Sequence, residues 1–339
     1  MLPILVLVSA LALLAACGAI YQAVGRARDS RLYPPIGRMI DIGGGVGLHV
    51  VEAGSGTPAV IFESGIAGSS LSWTLVQPEV AKFTRTASYD RAGLGWSDPG
   101  SEPRSLDRSA GELRALLGAA GIPPPYILVG HSYGGLLMRA FAAMHPAGVV
   151  GLVLVDPVSI DAWSTAIAAE MRTLRRGVTL SRRGPMLARL GVVRFALGLL
   201  LTGSNRTPKW IAKAASGRGE SVASRLVSEV SKLPPRCWPM VRSHWSDPKC
   251  FRGMAAHLES LPANAAALRK LPELPRLPLV ILSAATATAD EIEERAALAR
   301  ACAGEHIVTG GAGHWIQFDE PRLIADAIRG IVERSRAAV

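Results

Sequence analysis

Short apolar runs alternate with longer segments of helical pattern along most of this chain, and the alternation predicts a sheet covered by helices. Runs such as 58–63 and 126–130 are bounded by glycine, proline or polar residues, which is typical of buried strands. Strands that alternate with helices form mostly parallel sheets with helices on both faces. We predict strands near residues 38–43, 47–53, 58–63, 85–89, 126–130, 151–156, 278–283 and 305–309, and helices near residues 107–120, 133–145, 288–302 and 319–336.

The first 25 residues have a different pattern, because they carry no charged side chain and are almost continuously apolar. The run from Leu2 to Val24 is long enough to cross a hydrocarbon core, which needs about 20 apolar residues. Arginines follow at positions 26, 28 and 31. Residues 1–25 are therefore predicted to be a single-pass membrane anchor.

Two other interpretations of this segment stay open. A cleaved signal peptide is disfavoured, because no lysine or arginine precedes the apolar run. The sequence Leu-Ala-Ala-Cys that ends at Cys17 is similar to a lipobox, so the alternative is a lipoprotein acylated at Cys17. The positive-inside rule puts the folded part of an anchored chain on the cytoplasmic face. A lipoprotein would lie outside, so both sides of the membrane remain open.

The interval between residues 156 and 278 is far longer than a connection between neighbouring strands requires, and we expect residues 158–275 to form a helical insertion. Residues 158–278 contain 20 lysines and arginines against 7 aspartates and glutamates, a net charge of +13, so the rest of the chain sums to −3 against a total of +10. A solvated basic face explains this excess, and a surface that rests on anionic lipid headgroups is the alternative. Nucleic acid is not an expected partner, because the sequence has no recognised nucleic-acid-binding module.

Length and composition agree with one large folded domain behind the N-terminal segment. The chain has 339 residues, of which 49% are hydrophobic and 19% charged, so it can bury a substantial core. We expect residues 26–157 and 276–339 to form that core.

Three cysteines follow Cys17, an odd number that cannot be fully paired: Cys237 and Cys250 either bridge within the insertion or stay free, and Cys302 is the third.

The most specific motif of the chain is Gly130-His131-Ser132-Tyr133-Gly134. It follows the apolar run that ends at Val129 and precedes a segment of helical pattern. A Gly-x-Ser-x-Gly sequence at a strand-to-helix junction resembles the nucleophile elbow of the α/β-hydrolases, in which a sharp turn exposes the serine and the glycines leave room for neighbouring backbone. Ser132 is therefore the predicted nucleophile.

A second segment, 89–98, is similar to the Asp-x-Arg-Gly-x-Gly-x-Ser turn of the same superfamily, with Ala92 where relatives often have glycine. The chain is identified on these motifs as a member of the α/β-hydrolase superfamily, in its single-domain esterase, lipase and peptidase-like branch, over residues 40–332. The resemblance implies an α/β-hydrolase fold: a mostly parallel eight-stranded sheet, helices on both faces and a helical cap inserted after strand 6. It also implies that Arg91 has a structural role and binds backbone carbonyl groups beneath the active site.

The fold places the catalytic histidine after the last strand, near the C-terminus. Here residues 305–308 form the predicted last strand, and the glycine-rich loop 310–315 follows it. Of the seven histidines, His314 is the one in that loop, so we predict that it is the general base.

The acid that orients the histidine is less clearly specified. Relatives often carry it just after the seventh strand, but no carboxylate follows that strand until Asp290, which lies at a predicted helix start where Thr288 or Asp290 would be the N-cap. Asp156 closes the sixth strand, where some hydrolases and lipases of this fold have their acid. Asp156 is the preferred candidate, Asp290 is the alternative, and another carboxylate such as Asp161 remains open.

The resemblance also implies an oxyanion hole made of two backbone N–H groups. One belongs to the residue after the nucleophile, Tyr133, and the other to the loop after the third strand. Ile66 is the matching position in that loop, and Ser64-Gly65 stands where many relatives have His-Gly.

These residues predict acyl transfer to water through a Ser132–His314–Asp156 triad, with no metal and no organic cofactor. A carboxylic ester is the expected substrate, lipids and acyl thioesters are favoured by the anchor, and amides or peptides remain open. A serine at the elbow argues against epoxide hydrolases and haloalkane dehalogenases, which the resemblance implies use aspartate there. The alternative is a membrane-anchored binding protein that kept the fold and lost turnover.

Overall fold

The centre of the molecule is an eight-stranded sheet with the strand order β1-β2-β4-β3-β5-β6-β7-β8. The structure is a computed structural model that describes residues 1–165, 168–201 and 230–337. β1 and β2 are antiparallel to their neighbours, and all other pairs are parallel. The predicted mostly parallel eight-stranded sheet is confirmed. The strands are β1 Arg38–Asp41, β2 Gly47–Ala53, β3 Ala59–Glu63, β4 Thr86–Tyr89, β5 Tyr126–His131, β6 Val149–Val155, β7 Leu279–Ser283 and β8 Glu305–Val308.

Both faces of the sheet are covered, which explains the nearly continuous apolar character of its central strands. Successive residues of β5 face opposite clusters of buried side chains: Leu128 packs in the cluster on one face, and Ile127 and Val129 pack in the cluster on the other. This burial stabilises the sheet and fixes the ends of β5, β6 and β7 at one common edge.

The helices around the sheet begin and end close to the predicted positions. The helix expected at 319–336 runs from Pro321 to Ala337, and a separate short helix, Ile316–Asp319, precedes it. Glu320 has non-helical backbone angles (φ −133°, ψ 60°), because residues that precede a proline avoid the helical region. The helices of this layer are α2 Gln77–Val80, α3 Leu106–Ala120, α4 Tyr133–Met144, α10 Ala289–Ala301, α11 Ile316–Asp319 and α12 Pro321–Ala337.

The described residues between β6 and β7 are mainly helical. The middle of the predicted insertion, residues 202–229, lies outside the described residues, and so do the charged residues of that range. Cys237 and Cys250 are free, buried thiols rather than a disulfide. The helices are α5 Ile160–Ser164, α6 Ala168–Arg189, α7 Val192–Leu201, α8 Trp238–Trp245 and α9 Pro248–Leu268.

The N-terminal segment forms α1, a continuous helix from Leu2 to Leu32. Among the described residues it is the one helix that is long and apolar enough to cross a membrane. The apolar side chains from Leu2 to Leu14 are exposed. Two polar residues in its second half, Gln22 and Asp29, are buried against the rest of the molecule.

Candidate active site

Ser132 lies in a sharp turn between β5 and α4 and has a left-handed backbone conformation, with φ 54°. A Cβ atom on Gly130 would lie 2.5 Å from the carbonyl oxygen of Gly134. A Cβ atom on Gly134 would lie 2.5 Å from the carbonyl oxygen of Glu63. Both glycines of the motif are therefore required by the close approach of backbone segments, and the turn holds Ser132 at the carboxyl edge of the sheet.

Ser132, His314 and Asp156 form one hydrogen-bonded chain. The Ser132 Oγ and His314 Nε2 atoms are 3.1 Å apart, and the His314 Nδ1 and Asp156 Oδ2 atoms are 2.6 Å apart. An ionised carboxylate can only accept, so His314 donates from Nδ1 and its Nε2 accepts from the Ser132 hydroxyl. This arrangement has the geometry that lets an imidazole remove the hydroxyl proton.

Asp156 follows β6 and is held by several donors. Its Oδ1 atom accepts from the Ala284 N–H at 3.0 Å and from Arg295 Nη1 at 2.8 Å. Burial by itself raises the pKa of Asp156, but the hydrogen bond and charge of His314 and the charge of Arg295 outweigh it, and the pKa lies below its ordinary value. Asp156 is therefore ionised at neutral pH.

The two other candidate acids, Asp290 and Asp161, lie away from His314. Asp290 is exposed in the first turn of α10, for which Thr288, not Asp290, is the N-cap. Asp161 is exposed in α5 and forms an ion pair of 2.9 Å with Arg269. Within the described residues neither Asp290 nor Asp161 contacts His314, so the structure brings Asp156 alone of the three to the histidine.

The two amides expected to form the oxyanion hole belong to Ile66 and Tyr133. The β3–α2 loop lies directly against the nucleophile, since a Cβ atom on Gly65 would be 3.3 Å from the Ser132 Cβ atom. Within the described ranges neither the Ile66 N–H nor the Tyr133 N–H donates to a backbone acceptor. Two unpaired amide N–H groups near Ser132 can donate hydrogen bonds to an oxygen atom that develops negative charge.

Arg91 holds this loop, which confirms its predicted structural role. Its Nη2 atom donates to the Gly65 carbonyl oxygen at 2.6 Å, and its Nη1 atom donates to the Ser64 carbonyl oxygen. Arg91 is buried and also forms an ion pair with Glu63. The guanidinium thus fixes the backbone that carries the Ile66 amide.

His131 contributes to the site from within the elbow. Its Nε2 atom donates to the His314 carbonyl oxygen at 2.8 Å, and the two rings have centroids 4.7 Å apart. Burial lowers the pKa of His131 to about 3, so its ring stays neutral and acts as a donor. It positions the loop that carries His314.

Arg295 is the residue of this site that the sequence does not reveal. It lies in α10 and is only 5% exposed. Besides Asp156, it donates to the Ser283 Oγ atom at 3.0 Å and to the Pro157 carbonyl oxygen at 2.5 Å. An arginine four residues after Glu291 in a predicted helix is typical of a surface ion pair, so no signal in the sequence indicates its burial.

A cavity of about 420 Å³ opens beside Ser132 and His314. Its far wall comes from the segment between β6 and β7, including Val193 and Leu197 of α7 and Phe251 of α9. The described residues that line it include no lysine, arginine, aspartate or glutamate.

The described chain also contains no cluster of three or more histidine, cysteine or acidic side chains that could hold a metal ion.

Comparison with known proteins supports the assignment of the fold. The model of a family described as "Alpha/beta hydrolase family" matches residues 60–327. The uncharacterised protein YqjL of Bacillus subtilis is 36% identical over 119 residues, which are 35% of this chain and 47% of YqjL. The chain thus spans about half the length of curated relatives such as YqjL and a 2-hydroxymuconate semialdehyde hydrolase of Pseudomonas, of which it covers 46%.

Solved structures of hydrolases have the same fold. A thermophilic esterase from Thermogutta terrifontis superposes with a TM-score of 0.59 at 21% identity, over 87% of this chain and 97% of the esterase. An epoxide hydrolase from Vigna radiata superposes with a TM-score of 0.67 at 17% identity, over 88% of this chain and 98% of that protein. At these identities the likeness shows the fold alone, whereas the family match covers most of the chain. The chain belongs to the alpha/beta hydrolase family.

Proposed function

We propose that the protein is a membrane-anchored serine hydrolase of carboxylic esters. The observation that carries this proposal is the continuous hydrogen-bonded chain from the Ser132 hydroxyl through His314 to Asp156. Family membership supports hydrolase activity in general, and the serine at the elbow favours acyl transfer over epoxide opening.

In the proposed reaction His314 takes the Ser132 proton as the Oγ atom attacks the ester carbonyl carbon. The Ile66 and Tyr133 amides stabilise the negative charge on the carbonyl oxygen, and Asp156 stabilises the imidazolium. The imidazolium then protonates the leaving alkoxide, and an acyl group remains on Ser132. Water, deprotonated by His314, attacks this acyl-enzyme and releases the acid.

The N-terminal helix and the insertion complete the proposal. We infer that residues 1–25 anchor the chain as a single-pass helix, with acylation of the exposed Cys17 as the alternative. We further propose that residues 158–275 form a cap on a core made of residues 26–157 and 276–339. The support for the cap is that side chains of α7 and α9 line the cavity that contains Ser132.

Turnover of p-nitrophenyl esters by the full chain in detergent tests the proposal. Ser132→Ala should abolish turnover and labelling by a fluorophosphonate, because both require the Oγ atom. Ser101→Ala, at an exposed loop position, is the matched control and should retain both. Turnover that persists in a folded Ser132→Ala variant would refute the mechanism. A folded wild type that neither turns over esters nor reacts with the fluorophosphonate would instead favour the inactive binding protein.

A further inference from the structure

One face of α1 is docked onto the β6–β7 segment. The residues of this face are spaced three or four apart, as residues on one side of a helix are. Ala15, Gly18 and Gly25 are half-buried, and Gln22 and Asp29 are buried, whereas the residues between them are exposed. An otherwise apolar helix therefore has a polar, close-packed face.

Arg194 of α7 is the centre of this contact. Its Nε atom donates to the Gln22 Oε1 atom at 2.9 Å, and its Nη1 atom forms an ion pair with Asp29. Gln22 also donates to the Ser246 carbonyl oxygen at 2.9 Å. The side chains of Arg194 and Asp29 are 4% and 3% exposed, and buried charges are tolerated only when paired and hydrogen-bonded. The contact thus fixes α7 relative to α1.

The turn between α6 and α7 meets α1 at Gly18. A Cβ atom at position 18 would clash with the Leu190 carbonyl oxygen, so the backbones touch there. The helix from Leu2 to Gly18 rises about 24 Å at ~1.5 Å per residue. A hydrocarbon core is about 30 Å thick, and the part of α1 that ends at Tyr21 is about long enough to span it. The α6–α7 turn therefore lies at the edge of any bilayer that α1 crosses.

The side chains around this turn suit that position. Met186, Val192 and Phe195 are 60%, 50% and 60% exposed. Tyr21 of α1 is 46% exposed at the same level, where aromatic residues are enriched in membrane proteins. Arg26 follows five residues after Tyr21 and pairs with Asp247 at 3.3 Å. Apolar side chains thus continue from α1 onto the hydrolase.

An adjacent side of α7 lines the cavity of the active site. Val193 and Leu197, one turn apart on α7, are part of the cavity wall, and Arg194 between them binds α1. The described lining of this wall is apolar, with Leu233 and Val241 from neighbouring elements. A wall without charge excludes ionic acyl groups and accommodates an alkyl chain.

We propose that this cavity binds the long alkyl chain of the acyl group of a neutral ester dissolved in the bilayer. In this proposal α1 holds the α7 wall of the cavity at the membrane surface, where it meets the ester. This inference rests on the proposed serine hydrolase activity. The helix α1 is then a determinant of chain-length specificity as well as an anchor.

The test uses the full chain in phosphatidylcholine vesicles and measures kcat/KM for p-nitrophenyl acetate and p-nitrophenyl laurate. Leu197→Trp fills the cavity, and it should lower kcat/KM for laurate at least tenfold while acetate changes less than threefold. Ala196→Trp makes the same substitution at the exposed neighbouring position and should leave both rates unchanged. Gln22→Leu removes the hydrogen bonds to Arg194 and Ser246, and it should lower the laurate-to-acetate ratio about threefold or more.

Retained turnover of acetate shows that a variant is folded, and Leu197→Phe is the milder replacement if Leu197→Trp loses both activities. An unchanged laurate-to-acetate ratio in the folded position-197 variants overturns the alkyl-chain site. A lower ratio in those variants but not in Gln22→Leu overturns the role of α1. No serine-dependent turnover of acetate by the wild type refutes the proposed function itself, which separates the two failures.

Discussion

The two sides of the cavity are built in different ways. On one side Ser132, Asp156 and the Ile66 loop lie at the ends of buried strands, each within a few residues of a strand end. On the other side Val193, Leu197 and Phe251 lie on α7 and α9, and α7 contacts α1 through Arg194. The strand side carries the polar groups. The described residues of the helix side include no charged side chain.

This difference separates two tasks. Hydrogen bonds of fixed length need a rigid support, and the sheet edge supplies it through backbone bonds such as the one from the Asp156 N–H to the Leu282 carbonyl oxygen, 2.7 Å. Selection of an alkyl chain needs only an apolar cavity of suitable size, and helices of different lengths can enclose such a cavity. We expect substitutions on the strand side to affect chemistry and those on the helix side to affect the choice of substrate.

The largest expected effect is at the acid. Asp156→Asn should lower kcat about 10⁴-fold, because the neutral amide neither fixes the tautomer of His314 nor stabilises its imidazolium. Asp290→Asn, at the exposed start of α10, should change kcat less than twofold. Steady-state rates with p-nitrophenyl acetate distinguish them. Equal losses in the two variants would remove Asp156 from the proposed triad.

A smaller effect, on stability, is expected at Arg295, which pairs with Asp156. Arg295→Met should lower the free energy of unfolding by about 3 kcal/mol at pH 7, because it leaves a buried carboxylate without its guanidinium partner. Arg300→Met is the control, since the Arg300–Glu293 pair is exposed. Urea unfolding of the full chain in detergent measures both. A loss in Arg295→Met no greater than in Arg300→Met would contradict a supporting role.

The same variant has a defined pH dependence. Because the pKa of Asp156 is lowered in the folded protein, its ionised form contributes stability above the ordinary pKa of about 3.9, and this contribution is lost as the pH falls through the folded pKa. Removal of Arg295 raises that folded pKa. The stability difference between wild type and Arg295→Met should thus be full at pH 7 and shrink below about pH 4.

The smallest expected effect is on the helix side. Burial lowers the pKa of His244 to about 4 and raises the pKa of the Cys250 thiol to about 12. Both line the cavity and stay neutral from pH 6 to 9, so KM for a neutral laurate ester should vary less than twofold over that range, while kcat follows the ionisation of the catalytic groups. A KM that changes tenfold would show that a charged group enters the cavity.

The sequence predicts the strand side well, since its signals are local. The elbow is five consecutive residues, and the backbone contacts of Gly130 and Gly134 show why no other residue type serves there. The choice between Asp156 and Asp290 is not local. β6 and β7 are neighbours in the sheet, so an acid after either strand reaches the same edge, and only the packed structure distinguishes them.

The helix side is hardly predictable, because it depends on contacts between residues far apart in sequence. Arg194 has the pattern of a surface arginine, and its burial follows from Gln22 and Asp29, which lie more than 160 positions away. One signal is nevertheless present. Gln22 is a polar residue within an apolar run, and it lies three or four residues from two glycines on the same helix face.

The docked face of α1 also has a consequence for biogenesis. The helix α1 leaves the ribosome before α7, since Arg194 is synthesised 165 residues after Asp29. Until then Gln22 and Asp29 lack the Arg194 partner that they have in the folded protein, and an unpaired carboxylate is disfavoured within lipid. For the proposed membrane-anchored chain, the docked face of α1 is therefore completed only after α7 has been synthesised.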